Sequence, residues 1–238
     1  MFPMRGVSGH TSPSQHEADL RDLLRRSPII VGRESELPEP GDFFTHDDAG
    51  VALIVTRDES GRLRALRNVC SHRGTRLVYE SSGTARSFTC RYHGWTYDLR
   101  GKLGRPGRVG LPPALEQFMD DRALTELPCE ARHGFLWVLP TARTTLDLPG
   151  TLGPLDDQLA LLDLASYAAG RRSSETHASN WKHVVESHVT DDEGALLPGR
   201  VLLPPNSILV MGEDVVSHFA VFPRAVEESV VVQTRLVR

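Results

Sequence analysis

Disulfide-forming cysteine is nearly absent from this chain of 238 residues. It has three cysteines, an odd number and too few for the bonded framework of a small secreted domain. No apolar run approaches the roughly 20 residues of a membrane span, and the opening MFPMRGVSGHTSPSQHE lacks the apolar core of a secretory leader. Basic blocks are missing too, and the formal net charge is −4, which argues against a nucleic-acid partner. The expected setting is therefore a reducing one, the cytoplasm, with no membrane and no nucleic acid. The length allows one large domain or two small ones with a real core.

What is present concentrates between Cys70 and Trp95. Cys70 and His72 form a C-x-H pair and Cys90 and His93 a C-x-x-H pair, with 17 residues between His72 and Cys90. Two thiolates and two imidazoles in this arrangement are the ligand set of a Rieske [2Fe–2S] cluster, in which the cysteines hold one iron and the histidines the other. Neutral imidazoles leave such a cluster less negative than four thiolates would, so it accepts an electron at roughly −150 to +300 mV. Cys₂His₂ is also a structural zinc set. Zinc-finger spacing, however, puts cysteine with cysteine and histidine with histidine, whereas each cysteine here is paired with a histidine. Gly74 and Gly94 follow the two pairs, where backbone is expected to approach the cluster sulfurs and donate N–H bonds.

Along the chain, residues 1–28 read as a mobile tail carrying His10 and His16, then a short helix over Glu17–Arg26. From Ile29 short apolar runs alternate with turns. Strands are predicted over Val51–Thr56 and Arg62–Val69, joined by a turn at Asp58–Gly61, a hairpin expected to carry the first ligand pair at its tip. Further strands, Ser87–Thr89 and Trp95–Asp98, flank the second pair. Residues 29–145 thus form an all-β domain. Residues 146–172 read as a Pro/Gly-punctuated linker and a helix capped by Asp156 or Asp157 and closed by Gly170. Residues 173–238 end in β-branched runs at 207–211, 215–222 and 229–237.

The segments PEPGDFF, NVCSHRG, CRYHGWTYDLRGKL and ARHGFLWV resemble the Rieske domain of the large (α) subunit of Rieske non-haem iron oxygenases, the aromatic-ring-hydroxylating dioxygenases. The extra cysteine pair usual in respiratory Rieske proteins is missing from both ligand loops. Cys129 reads as a buried inert thiol and His133 as structural. Further on, Asn180, Trp181, Lys182 and Glu186 resemble the opening of the oxygenase catalytic domain. The fold implied is α+β and mainly β: an all-β Rieske domain followed by a shortened helix-over-antiparallel-sheet catalytic domain.

The resemblance implies electrons from a reductase or ferredoxin, passage from the cluster to a mononuclear Fe(II), and O₂-dependent hydroxylation of a small organic substrate. It also implies a homotrimer in which Asp191 bridges to His93 of a neighbouring subunit. In the family that iron is held by an H-x₄-H pair and a distant aspartate, a facial triad. Ungapped spacing from Asn180-Trp181-Lys182 puts the acid at Asp191, expected on the helix that begins there, but the two histidine positions at Gly194 and Gly199, and a shift by one gives Glu193 and Pro198. His183 and His188 have the H-x₄-H spacing, yet on one helix their side chains are about 140° apart. Asp192 and Glu193 are the remaining oxygen donors. A reading from another class is a non-catalytic Rieske electron carrier or assembly partner of an intact oxygenase.

Overall fold

The computed structural model describes residues 12–48, 50–106, 120–191 and 195–238. The chain divides into two compact units: Val31–Asp47 with Val51–Leu146, and Met1–Ile30 with Asp48–Gly50 and Asp147–Arg238.

The first unit is built of β-structure. Strand β1 (Ile29–Arg33), part of which lies in this unit, leads to β2 (Asp42–His46), β3 (Leu53–Arg57), β4 (Leu63–Arg67), β5 (Ser82–Thr84), β6 (Phe88–Thr89), β7 (Trp95–Tyr97), β8 (Leu103–Pro106), β9 (Glu126–Leu127), β10 (Cys129–Arg132) and β11 (Phe135–Val138). Three sheets result, in the orders β5-β2-β3-β4-β9, β6-β7-β8 and β1-β11-β10. Phe43, Ile54, Leu66, Phe88, Trp95, Tyr97 and Leu103 pack into one cluster that also takes in Cys70 and Cys90. The ligand thiols are therefore part of the core. His133 and Gly134 both have positive φ, 53° and 75°, the geometry of a two-residue hairpin turn between β10 and β11, so His133 serves the turn.

Asp58 holds the β3–β4 turn. Its fully buried carboxylate accepts from Ser60 N (2.9 Å), Arg62 N (3.1 Å) and Arg64 Nε (2.9 Å). Burial alone pushes its pKa up, but the Ser60 hydroxyl, Arg64 and the backbone donors outweigh this and hold it at about 2, below its ordinary 3.8. A depressed carboxylate pKa gives stability that is fully present above 3.8 and lost as pH falls through 2. The Asp58→Asn variant is expected to lose on the order of 2 kcal/mol at neutral pH and to show a flatter decline in stability between pH 4 and 2. Denaturant titration across that range tests it, and an unchanged slope would refute the role.

The second unit begins with α1 (Pro13–Ala18), which runs into a π-helical turn at Asp19–Leu24. The helix starts earlier than expected because Ser12 caps it, its Oγ accepting from Gln15 N at 3.1 Å, and Pro13 fits the first turn. The predicted linker is partly helical. Asp147 caps α2 (Leu148–Leu152), and α3 (Pro154–Leu161) follows Gly153, whose φ is 55°. The helix stops well before Gly170, because Asp163 turns left-handed (φ 44°). Gly170 instead lies in β12 (Ala168–His177), a strand that sequence periodicity missed because all ten of its residues are polar or small and none is fully buried.

After β12 come α4 (Trp181–Val189), β13 (Arg200–Leu203), β14 (Ser207–Met211), β15 (Val215–Ala225) and β16 (Glu228–Val237). The sheet order is β12-β16-β15-β14-β13, every pair antiparallel. Trp181, Val184, Val185 and Val189 recur at helical spacing and bury one face of α4 on Ile208, Val221 and Val231 of the sheet. Asn180 caps α4, its Oδ1 accepting from Lys182 N at 3.0 Å while its Nδ2 donates to Val226 O in the β15–β16 turn at 2.6 Å. Lys182 pairs with Asp19 at 2.6 Å and so ties the amino-terminal helical segment to α4. Among the described residues no helix is long and apolar enough to cross a membrane.

Candidate metal centre

The first ligand pair does not sit at the β3–β4 tip. It lies at the opposite end of β4, in the loop Cys70–Thr75, and the second pair lies in the loop Cys90–Trp95 between β6 and β7. The two loops close in the same way although the histidine is two residues past the cysteine in one and three in the other. Cys70 N donates to Thr75 O (2.7 Å) and Gly74 N to Cys70 O (2.9 Å); Cys90 N donates to Trp95 O (2.7 Å) and Gly94 N to Cys90 O (2.9 Å). Gly74 and Gly94 have φ of 73° and 74°. Their role is this left-handed closure, and their own N–H groups serve it by bonding the cysteine carbonyls.

Other groups aim at the sulfurs. The Tyr97 hydroxyl lies 3.3 Å from Cys70 Sγ and 2.9 Å from Ser71 Oγ, and Ser71 N donates to it at 3.2 Å. Thr75 Oγ1 lies 3.7 Å from Cys90 Sγ. Backbone donors come from His72 toward Cys70, and from Tyr92 and His93 toward Cys90. Burial and the adjacent Cys90 raise the Cys70 thiol pKa. Burial also works against the Cys90 thiolate, but these hydrogen bonds prevail and lower its pKa. The Tyr97 phenol is pushed up by burial and by Cys70, so it stays a donor. Sequence reasoning missed Tyr97, although period-2 alternation in Trp95-Thr96-Tyr97 already put it on the face of Trp95.

The imidazoles face each other, ring centroids 4.7 Å apart at 80°. His72 stacks on the Trp95 indole at 4.7 Å and 10°, which fixes its plane. Burial, then the nearby His93, Arg73 and Arg122, lower its pKa and keep the ring neutral, the form that binds metal. Its Nδ1 is buried without a hydrogen-bond partner, an arrangement that costs free energy unless something ligates it. Two buried thiols met by donors and two imidazoles in edge-to-face contact fit a two-iron cluster. Among the described residues no three His, Cys, Asp or Glu side chains group around one ion position. In a Rieske centre each iron takes only two protein ligands, so the donors fall into a cysteine pair and a histidine pair.

The residues considered for a mononuclear iron are not brought together. His183 and His188 both lie on α4, and His188 Nδ1 is 2.8 Å from Val184 O with its ring against Phe219 at 5.0 Å. Asp191 is not on the helix, as expected from the sequence, but past its end. Asp191 N donates to Ala195 O (2.9 Å), and its Oδ1 accepts from Ala195 N (2.8 Å), closing a small turn. Asp192 and Glu193 lie outside the described residues, as does His10. The described residues therefore do not fit that metal. Cys129 lies in β10, its thiol pushed up to about 12 by burial and by Glu126 and Glu130, which suits an unreactive role. His16 lies in α1.

Fold and site together define a Rieske-type iron–sulfur protein whose cluster domain is joined to a helix-over-sheet unit. The comparisons agree. The Rieske [2Fe-2S] domain family matches residues 27–113. The chain is 38% identical over 189 residues to the biphenyl 2,3-dioxygenase subunit alpha of Rhodococcus jostii, covering 76% of this chain and 40% of that protein. It is 29% identical over 181 residues to the glycine betaine monooxygenase oxygenase subunit of Chromohalobacter salexigens, covering 75% and 39%. It therefore carries a Rieske [2Fe-2S] domain and is similar over about three quarters of its length to Rieske oxygenase large (α) subunits, while it spans about two fifths of the length of these curated relatives. Two solved structures share its fold: the quaternary ammonium Rieske monooxygenase CntA (TM-score 0.81, 22% identity, 96% of this chain and 73% of that one) and the naphthalene 1,2-dioxygenase from a Rhodococcus species (TM-score 0.80, 20% identity, 96% and 72%).

Proposed function

We propose that the chain is an electron-accepting oxidoreductase of the Rieske oxygenase type, taking electrons from a reductase or ferredoxin for O₂-dependent hydroxylation of a small organic substrate. The observation that carries this reading is the convergence of two buried thiols and two facing imidazoles on paired loops. A [2Fe–2S] cluster bound there supplies reversible one-electron chemistry. Cys70 and Cys90 would hold one iron, His72 and His93 the other. Tyr97 and Thr75 would donate to the sulfurs, which favours the more negative, reduced state and so raises the potential. Trp95 would keep His72 in plane, while exposed His93 and Tyr92 would form the edge through which partners are met.

Asp191, exposed beyond α4, would be the acid that bridges to His93 of a neighbouring subunit in a homotrimer. The cytoplasm suits a site that needs its thiols reduced before iron enters.

Metal and sulfide analysis after anaerobic reconstitution, with EPR of the dithionite-reduced chain, tests the reading. Two irons and two sulfides per chain with a Rieske-type signal are expected. A colourless protein, or one without that signal, would sink it. A third iron lost to mild chelation would show instead that residues outside those described complete a mononuclear site.

A further inference from the structure

Given a cluster that accepts electrons as proposed above, we infer that its donor is an acidic carrier protein docking on the first ligand loop, against Arg67, Arg73 and Arg122. The electron then enters on the His72 side, and the loop that carries His93 is left to the neighbouring subunit. Residues 67–79 and 85–97 contain both ligand loops and hold five arginines with no Asp or Glu, in a chain whose formal net charge is −4. Not all of that charge is open to a partner. Arg76 pairs with Asp47 at 2.8 Å and Arg91 pairs with Glu80, and both guanidinium groups lie over the ring of Tyr79. Arg86 precedes β6, at the end away from the ligands. Arg67 and Arg73 are exposed and have no ion-pair partner among the described residues.

The fold adds a third cation. Arg67 N donates to Thr125 O at 2.8 Å and the Ser71 hydroxyl donates to Arg122 O, so the segment 122–125 runs beside the approach to the first loop. Arg122 is exposed and likewise without an ion-pair partner among the described residues. After burial and His93, Arg73 and Arg122 are what lowers the basicity of the His72 ring, so both lie within electrostatic reach of it. Exposed Asp121 offsets one of the three cations, while Glu126, further along, is taken by Arg64 at 2.9 Å. The second loop differs. Tyr92 is 64% exposed and Tyr79 47%, an aromatic face with its arginines engaged, which suits a lasting contact between subunits. Open cations suit a transient partner, because they raise the encounter rate of an oppositely charged protein by about 10 to 10³-fold. A plant-type ferredoxin, at about −400 mV, lies below the Rieske range. One electron therefore passes downhill from its reduced [2Fe–2S] cluster to the oxidised Rieske cluster.

The test uses the full chain with its cluster and, as probe, a reduced, acidic plant-type [2Fe–2S] ferredoxin. Stopped-flow absorbance gives the second-order rate at which the Rieske cluster is reduced. That rate is expected to fall about tenfold or more between roughly 50 and 500 mM salt, as screening shortens the reach of the arginines. Arg73→Glu and Arg122→Glu should each slow it about threefold to tenfold at low salt and rejoin the wild type at high salt. Arg21→Glu, on an exposed side chain of the other unit, should leave it unchanged. A shifted potential would slow the variants at every salt concentration, so the convergence singles out the encounter. A wild type without the Rieske EPR signal after dithionite overturns the cluster reading and the docking face together. A wild type that has the signal but is reduced at a rate indifferent to salt overturns the docking face alone, as do variants that match it at low salt. So does Arg122→Glu splitting an oligomer in sedimentation, since a second copy would then cover these arginines.

Discussion

Replacing His93 with alanine is expected to abolish the visible absorbance of the chain and to lower the stability of its β unit by more than about 4 kcal/mol, the range reached when a metal site is lost. Ligand binding by a preformed set of donors is folding free energy, because the unfolded chain holds no such set. His93 is exposed, and its side chain contributes little to the core, so its removal isolates that linkage. Cys70→Ser is expected to do more. Cys70 is 1% exposed and packs with Leu77, Tyr97 and Leu103, so serine adds a buried hydroxyl to the loss of the ligand. Differential scanning calorimetry of the wild type with and without iron gives the comparison: the iron-free wild type and His93→Ala should unfold together, and Cys70→Ser below both. Cys129→Ser, in β10, is the control that keeps full absorbance. If His93→Ala keeps it as well, the ligand assignment is wrong.

The ligand set was legible because metal chemistry demands residue types at short, fixed separations, and Cys70, His72, Cys90 and His93 satisfy that within one stretch of chain. The groups that tune the site were less so. Tyr97 reaches Cys70 across 27 positions and Thr75 reaches Cys90 across 15, contacts that only the folded loops create. The later strands were legible for a different reason: β14, β15 and β16 have apolar residues to bury, and their β-branched runs state it. β12 has no such need. Its AAGRRSSETH pairs with β16 through main-chain bonds, and an edge strand exposed on both faces leaves no period to read. Asp191 looked helical by proximity to α4, but Thr190 turns extended at ψ 157° and the chain leaves the helix there.

The α4 stripe supplies the other large effect. Trp181→Ala is expected to destabilise the helix-over-sheet unit by about 3–5 kcal/mol, the range for emptying a buried aromatic site. Trp181 is 2% exposed at the first turn of α4. Around it the Asn180 side chain ties the helix start to Val226, and Lys182 pairs with Asp19, so the neighbours are held and cannot collapse into the space. A cavity that persists costs more than the transfer of the lost atoms. Trp181→Phe separates volume from polarity. The indole Nε1 is buried without a hydrogen-bond partner, and phenylalanine removes that unmet donor along with part of the ring. Relief of the one offsets loss of the other, so Trp181→Phe should cost about 1 kcal/mol or less, well under what lost area alone implies. The cluster ligands lie in the other unit, and the Rieske EPR signal should persist in both variants. Chemical denaturation followed by far-UV circular dichroism decides it: equal losses for Trp181→Ala and Trp181→Phe would mean that the indole N–H is satisfied and that the helix is anchored by more than its packing.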